Sequence, residues 1–260
     1  MNDGSTKTGI YGLTGCRGDQ LTVLDCGDRI IELLRGSGIR SFIMTASDNR
    51  EGRMDIALVE GSVSTQGDKE GLLSIRERSD VLVALGTCAC TGGLQAAFQD
   101  WAQWQENYGR VYGDPEMEHT APCPSRPLDA YVKVDFHVPG CPISEKQLLH
   151  AMKSIIASGP PGPDARPLCA QCALKGEDCL LRKGIACLGP LTASGCGAVC
   201  PWHNIGCTGC WGPAGEPDLE ELPRLFPGGR FDAAFIRRMM GAFSGARIEE
   251  LTVRVEGVMK

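Results

Sequence analysis

Between residues 7 and about 158, short apolar blocks alternate with longer stretches whose apolar positions recur every three or four residues. Blocks of the first kind read as strands over 8–13 (TGIYGL), 40–46 (RSFIMTA), 55–63 (DIALVEGSV), 80–87 (DVLVALGT) and 132–138 (VKVDFHV). Stretches of the second kind read as helices. Residues 20–38 place Leu21, Leu24, Ile30, Ile31 and Leu34 at roughly helical spacing, with Gly36 or Gly38 to end the helix. Further helices are expected over 69–78, 92–105 and 144–159, the last capped by Ser144 with Gln147 three residues on. Strands alternating with helices predict an α/β fold, a parallel sheet covered by helices.

The pattern changes near residue 160. Residues 159–167 (GPPGPDARP) concentrate Pro and Gly, which cannot continue a helix, and read as a linker between a first domain over 1–158 and a second over 168–260. From Cys169 to Pro213 the chain is rich in Gly and Cys with little apolar periodicity, so inorganic clusters are expected to replace the core its side chains do not build. Two short helices are expected in the tail, around 218–226 and 231–243, packing their apolar faces inside the chain.

Composition narrows the function. A net charge of -6 does not provide the clustered Lys and Arg that phosphate binding requires, so no nucleic-acid partner is expected. No run of 18 apolar residues occurs, and MNDGSTKTGIYGL carries neither a signal-peptide pattern nor a twin-arginine motif, which predicts a cytoplasmic chain without membrane insertion. Fourteen cysteines then need explaining, because a reducing compartment disfavours disulfides and thiolates are soft metal ligands.

In the first domain Cys16, Cys88 and Cys141 each follow a predicted strand, which brings them to one rim of a parallel sheet. Each has a neighbouring glycine, in TGCRGD, LGTCACTGG and VPGCP, that lets backbone approach a cluster. A cubane needs a fourth ligand. Asp19, three residues after Cys16, is the candidate; it also fits an N-cap of the following helix, and Cys26 or Cys90 are the sulfur alternatives. Glu60, at the end of the third strand, reads either as a group lining this rim or as a solvated loop carboxylate.

Eight more cysteines, Cys169, Cys172, Cys179, Cys187, Cys196, Cys200, Cys207 and Cys210, supply two further cubanes, their pairing left open. Cys26, Cys90 and Cys123 are then spare. Structural zinc on the CxxC pairs is the competing reading and leaves the first array unexplained. His119, His137, His150 and His203 sit in no nucleophile motif, and neither GxGxxG nor a Walker A sequence occurs.

The motifs TGCRGD, VEGSVS, GTCACTGG, VPGCPIS, ACLGPLTASGCGAVCP and GCTGCWGP resemble those of the small (delta or gamma) subunits of cytoplasmic NiFe hydrogenases, relatives of the cluster-carrying 20 kDa subunit of complex I. The resemblance spans nearly the whole chain. It implies a flavodoxin-like first domain holding a proximal 4Fe-4S cluster on Cys16, Asp19, Cys88 and Cys141. It also implies medial and distal 4Fe-4S clusters on the eight later cysteines. It further implies a NiFe-carrying large subunit and a flavin- or iron-sulfur-containing diaphorase-type subunit as partners, with the chain itself conducting electrons. Asp19 stands where many relatives carry Cys. A complex-I-like or other non-hydrogenase electron-transfer module is the alternative.

Overall fold

The computed structural model describes residues 6–33, 39–50, 52–97, 101–113, 121–157, 166–176, 178–215, 217–226, 231–244 and 249–259. The chain divides into two compact units, one of residues 1–92 with 99–161 and one of residues 93–98 with 162–260.

The first unit is built on five parallel strands. They are β1 (Thr8–Gly12), β2 (Ile39–Phe42), β3 (Met54–Glu60), β5 (Ser79–Leu85) and β7 (Phe136–Val138), ordered β2-β1-β3-β5-β7. Counting these five alone, the order is 2-1-3-4-5, that of flavodoxin-like sheets, whose ligand crevice lies outside the strands' carboxyl ends. All five expected strands are present, but the one over 40–46 stops at Phe42, where the chain turns and leaves Ile43 77% exposed, and the one over 132–138 is only Phe136–Val138; period-two alternation explains their two-sided burial. Ile56 and Leu58 of β3 point with Ile10, Phe42, Val83 and Leu85 into one apolar layer. Ala57 and Val59 point with Leu82 and Ala84 into the other.

Helices α1 (Gly18–Asp25), α2 (Asp28–Leu33) and α6 (Glu145–Ala157) bury Val23, Ile30, Leu148 and Met152 against the first layer, with Cys26 of the α1–α2 turn. Helix α3 (Gln66–Glu77) buries Leu72 and Ile75 against the second, beside Ala89 and Cys90 of α4 (Gly86–Thr91). Helix α3 starts from a capping box: Thr65 Oγ1 accepts the Asp68 N–H at 3.0 Å and Asp68 Oδ2 accepts the Thr65 N–H at 3.1 Å. The Ser144–Gln147 box expected at α6 also forms, with reciprocal bonds of 2.7 and 3.3 Å.

Three expected elements break. The helix expected over 20–38 is, as far as residue 33, two helices divided at Gly27, and its inward residues are Val23, Cys26 and Ile30, while Leu21 and Ile31 are 52% and 49% exposed; Leu34, Gly36 and Gly38 lie outside the described residues. The strand over 55–63 stops at Glu60 because Gly61 turns the chain at φ +94°, where a Cβ would lie 2.8 Å from the Leu13 carbonyl carbon. Beyond it, β4 (Val63–Thr65) pairs antiparallel with β6 (Pro122–Arg126). The helix over 92–105 is replaced by a 3₁₀ turn at Leu94–Ala96 and α5 (Trp101–Tyr112); residues 98–100 lie outside the described residues, as does most of the expected linker.

The second unit builds more of a core than its cysteine-rich stretch predicts. Leu168, Leu180, Leu188 and Leu191 pack with Leu222, Phe226, Phe231, Ile236, Met240, Leu251 and Val255 in one cluster that includes Cys187 and Cys207. Apart from Phe226 and Phe231, the tail residues come from α9 (Leu222–Leu225), α10 (Ala233–Ser244) and an unexpected α11 (Glu249–Val258). The C-terminal helices thus supply the apolar surface that residues 169–213 lack. Two short helices carry cysteines: α7 (Cys169–Ala173) and α8 (Val199–Trp202).

Candidate metal centres

Parallel pairing places the carboxyl ends of β1, β5 and β7 on one rim. Cys16 lies four residues past β1, Cys88 in the first turn of α4 directly after β5, and Cys141 three residues past β7. The Thr87 N–H donates to the Gly140 carbonyl at 2.8 Å, lacing the second of these loops to the third. Cys16 and Cys141 are exposed and Cys88 is half-buried.

Asp19, in the first turn of α1, is buried. Its Oδ1 accepts the Ile143 N–H at 2.8 Å, which fixes it to the loop after β7. Its Oδ2 rests on the backbone after β5, since a Cβ on Gly86 would lie 1.7 Å from that atom. One carboxylate therefore touches the loops that carry Cys88 and Cys141. It does not cap the helix: the N-cap is Arg17, left-handed at φ 66° and without a side-chain cap bond.

Burial and like charge act together on the acidic groups of this corner. Burial pushes the Asp19 carboxyl up to about 6; the Ile143 N–H pulls it down, and Glu60 raises it again. Although Cys141 keeps an exposed surface, burial pushes its thiol up, and Asp19 and Cys16 add to the rise. Glu60 is buried rather than solvated, its Oε2 accepting the Gln20 N–H at 3.1 Å. Sulfur and oxygen donors that oppose one another's ionisation are a set that a cationic centre neutralises. The backbone leaves room beside them: a Cβ on Gly18 would stand 3.3 Å from Cys16 Sγ and 3.6 Å from Pro142 Cβ.

The remaining first-unit cysteines lie elsewhere. Cys26 is buried in the layer between the sheet and α1, α2 and α6, where burial pushes its thiol up. Cys90 is buried on the opposite face, its thiol 3.5 Å from the Ala84 carbonyl. Cys123 lies in β6, its thiol pushed up by burial and by Asp68.

In the second unit the thiols crowd. Cys169 is pushed up to about 12 by burial and then by Cys187, Cys179, Cys172 and Cys207, in that order, although the residue keeps an exposed surface. Cys207 is also pushed up to about 12 by burial, against the opposing pull of Thr192 and the Gly209 N–H. Cys200 is raised by burial and then by Cys196. Backbone donors are aimed at the sulfurs: the Cys207 N–H lies 3.3 Å from Cys187 Sγ, and the Gly209 N–H lies 3.4 Å from Cys207 Sγ. Such N–H···S contacts set the potential of a thiolate-bound cluster.

Two positioning residues were not expected. Gln171, inside the CAQC turn, accepts the N–H groups of Gly195 and Gly197 on Oε1, both at 2.9 Å, and so holds Cys196 in place. Thr192 donates to the Leu188 carbonyl at 2.7 Å and accepts the Cys207 thiol at 3.5 Å. A polar residue between two cysteines of a CxxC pair was the available signal for Gln171. His203 is exposed at the end of α8.

Among the described residues, which include all fourteen cysteines, there is no disulfide, and no three His, Cys, Asp or Glu side chains close around a single ion. A cubane asks for a different geometry, because each of its ligands binds a separate iron atom.

Residues 16–155 match the family NADH ubiquinone oxidoreductase, 20 Kd subunit. The chain is 40% identical over 228 residues to the Sulfhydrogenase 2 subunit delta of Pyrococcus furiosus, covering 85% of this chain and 94% of that one. It is 29% identical over 238 residues to a subunit of the vhu F420-non-reducing hydrogenase of Methanocaldococcus jannaschii, covering 80% and 82%. The fold is also that of a chain in the NAD+-reducing [NiFe]-hydrogenase in its H2-reduced state, at a TM-score of 0.52 and 24% identity over 61% of this chain and 96% of that one. Both of these sequence relatives are hydrogenase subunits by name, and the chain covers most of their length. The chain belongs to the NADH ubiquinone oxidoreductase 20 Kd subunit family.

Proposed function

We propose that this chain is the electron-transfer small subunit of a cytoplasmic NiFe hydrogenase. It conducts electrons between a NiFe site in a separate large subunit and a flavin- or iron-sulfur-containing partner. The observation that carries the reading is the meeting of Asp19 with the loops of Cys88 and Cys141 at the rim where Cys16 also lies.

Cys16, Asp19, Cys88 and Cys141 would hold the proximal cluster. The eight later cysteines would hold the other two clusters, a reading that the crowding of Cys169 by Cys187, Cys179, Cys172 and Cys207 supports. Cys200 in turn is crowded by Cys196 and Cys187. Bound 4Fe-4S clusters supply one-electron outer-sphere transfer. The protein's part is to fix the donors, aim N–H groups at sulfur and limit solvent: Ile143 and Gly86 hold Asp19, and Gln171 and Thr192 hold the loops of Cys196 and Cys207.

The test is the purified complex. Nickel in the large subunit together with hydrogen-dependent viologen reduction is expected. A complex free of nickel that reduces no dye under hydrogen sinks the hydrogenase reading and leaves the complex-I-like alternative.

A further inference from the structure

Of the buried side-chain polar atoms without a hydrogen-bond partner among the described residues, Ser194 Oγ is the one in the second unit. Ser194 is 2% exposed, and a hydroxyl taken out of water without an acceptor is costly enough to ask for a reason.

The backbone does not let this hydroxyl look elsewhere. Residues 191–194 run extended between two neighbouring segments. On one side the Leu168 N–H donates to the Thr192 carbonyl at 2.8 Å and the Ser194 N–H to the Arg166 carbonyl at 3.0 Å. On the other the Ala193 N–H donates to the Gly212 carbonyl at 3.0 Å and the Ala214 N–H to the Leu191 carbonyl at 2.8 Å. The next residue is pinned as well: the Gly195 N–H donates to Gln171 Oε1 at 2.9 Å, and a Cβ on Gly195 would lie 1.9 Å from the Trp211 ring.

Alternation along the extended segment puts the side chains of Thr192 and Ser194 on one face and that of Ala193 on the other. The first face carries sulfur, since Thr192 Oγ1 lies 3.5 Å from Cys207 Sγ. All three paired segments also lead into or out of cysteine loops. Residues 166–168 end next to Cys169, Ser194 stands two residues before Cys196, and Gly212 two after Cys210. A donor without an acceptor, fixed on the sulfur-bearing face amid these loops, suits the one acceptor that cysteine clusters bring with them.

We propose that Ser194 donates its hydroxyl hydrogen bond to a sulfur of a 4Fe-4S cluster held in the second unit and so raises that cluster's potential. The proposal rests on the electron-transfer reading and adds a tuning residue that is not a ligand. An O–H···S bond favours the reduced cluster, which carries one more negative charge than the oxidised one.

The test is an EPR-monitored redox titration of holocomplexes carrying wild-type, Ser194→Ala or Ser194→Thr small subunit. In Ser194→Ala the reduced-to-oxidised ratio of one second-unit cluster, taken at its wild-type midpoint, is expected to fall about threefold or more. That is a downward shift of roughly 28 mV at about 59 mV per tenfold for a one-electron couple. The proximal cluster should not move. An exchangeable proton coupled to the affected cluster in wild-type ENDOR spectra should vanish with alanine, while threonine keeps both the proton and the wild-type potential. Iron content and stability of the alanine variant should match wild type, because the hydroxyl bonds to nothing in the protein.

Intact clusters with every potential unchanged in Ser194→Ala overturn the proposal, as when an ordered water is the hydroxyl's partner. Loss of a cluster in that variant overturns it too, since a donor that only tunes is dispensable for assembly. So does a threonine variant with intact clusters whose potential falls as far as alanine's, which assigns the shift to packing. A wild-type complex without iron and sulfide overturns the underlying electron-transfer reading instead, whatever the variants do.

Discussion

Asp19 Oδ1 accepts the Ile143 N–H across 2.8 Å, joining two residues 124 positions apart at the carboxyl edge of the sheet. The bond gives Asp19 a structural task that is separable from ligation. Asp19→Asn keeps an oxygen acceptor for Ile143 and removes the anionic donor, so stability should stay near wild type while the proximal cluster's EPR signal and potential change. Asp19→Ala removes both and should cost about 1–3 kcal/mol in chemical denaturation for the buried N–H left unpaired. An Asn variant with an unaltered cluster signal would exclude Asp19 as a ligand.

Gly86 tests the same corner from the other side. At φ +81° an alanine is strained, and its Cβ would overlap Asp19 Oδ2. Gly86→Ala should destabilise the first unit by about 1–3 kcal/mol from backbone strain alone and perturb the proximal signal through the displaced carboxylate. Signals of the two clusters in the second unit should persist. Denaturation and EPR on one preparation check both.

Four of the five strands of the sheet were legible as apolar blocks ending at a glycine-bearing loop, whereas β2 stops at Phe42 without one, so the apolar Ile43 and Met44 lengthened its expected range. Cysteine spacing likewise marked the strand ends. The β4–β6 pair was not legible, because PCPSR holds two prolines and reads as a loop, and its partner lies some sixty residues earlier. In the helix over 20–38 the exposed Leu21 and Ile31 imitated a buried face, and the break at Gly27 decided which residues turned inward. Asp19 was legible as a candidate from its spacing to Cys16. Its bond to Ile143 and its seat on Gly86 arise between distant loops, so no local pattern announces them.

The pair Arg76–Asp135 gives a pH signature. Burial raises the Asp135 carboxyl, but the Leu82 N–H, Arg76 and Lys133 outweigh it and hold it below the usual carboxylate range. Asp135 Oδ2 accepts the Leu82 N–H at 2.9 Å and meets Arg76 at 2.6 Å, with both side chains largely buried. Its contribution is complete above the unfolded value of 3.8 and vanishes as pH falls through the lower folded value. Asp135→Ala should therefore cost about 1–3 kcal/mol at neutral pH. Thermal melts should show the electrostatic part of that gap narrowing below pH 4 (about the unperturbed carboxylate value); an undiminished gap there would remove the charge argument.

Gly206 stands between Cys187 and Cys207, where a Cβ would lie 1.7 Å from the Ala186 carbonyl oxygen, a backbone atom that cannot swing aside. Gly206→Ala should force apart the segments carrying these cysteines and lower the iron content of the second unit, leaving the proximal EPR signal in place. Full iron incorporation would show that the two segments are not held as described.

The central claim is that three clusters sit on eleven cysteines and one aspartate. Iron and acid-labile sulfide of the small subunit, taken as the content of the anaerobically purified complex less that of its separately analysed large and redox-partner subunits, test it most directly. About twelve iron and twelve sulfide per small subunit, four of each per cubane, are predicted. Zinc at about two per chain, with neither sulfide nor visible absorption, would contradict it.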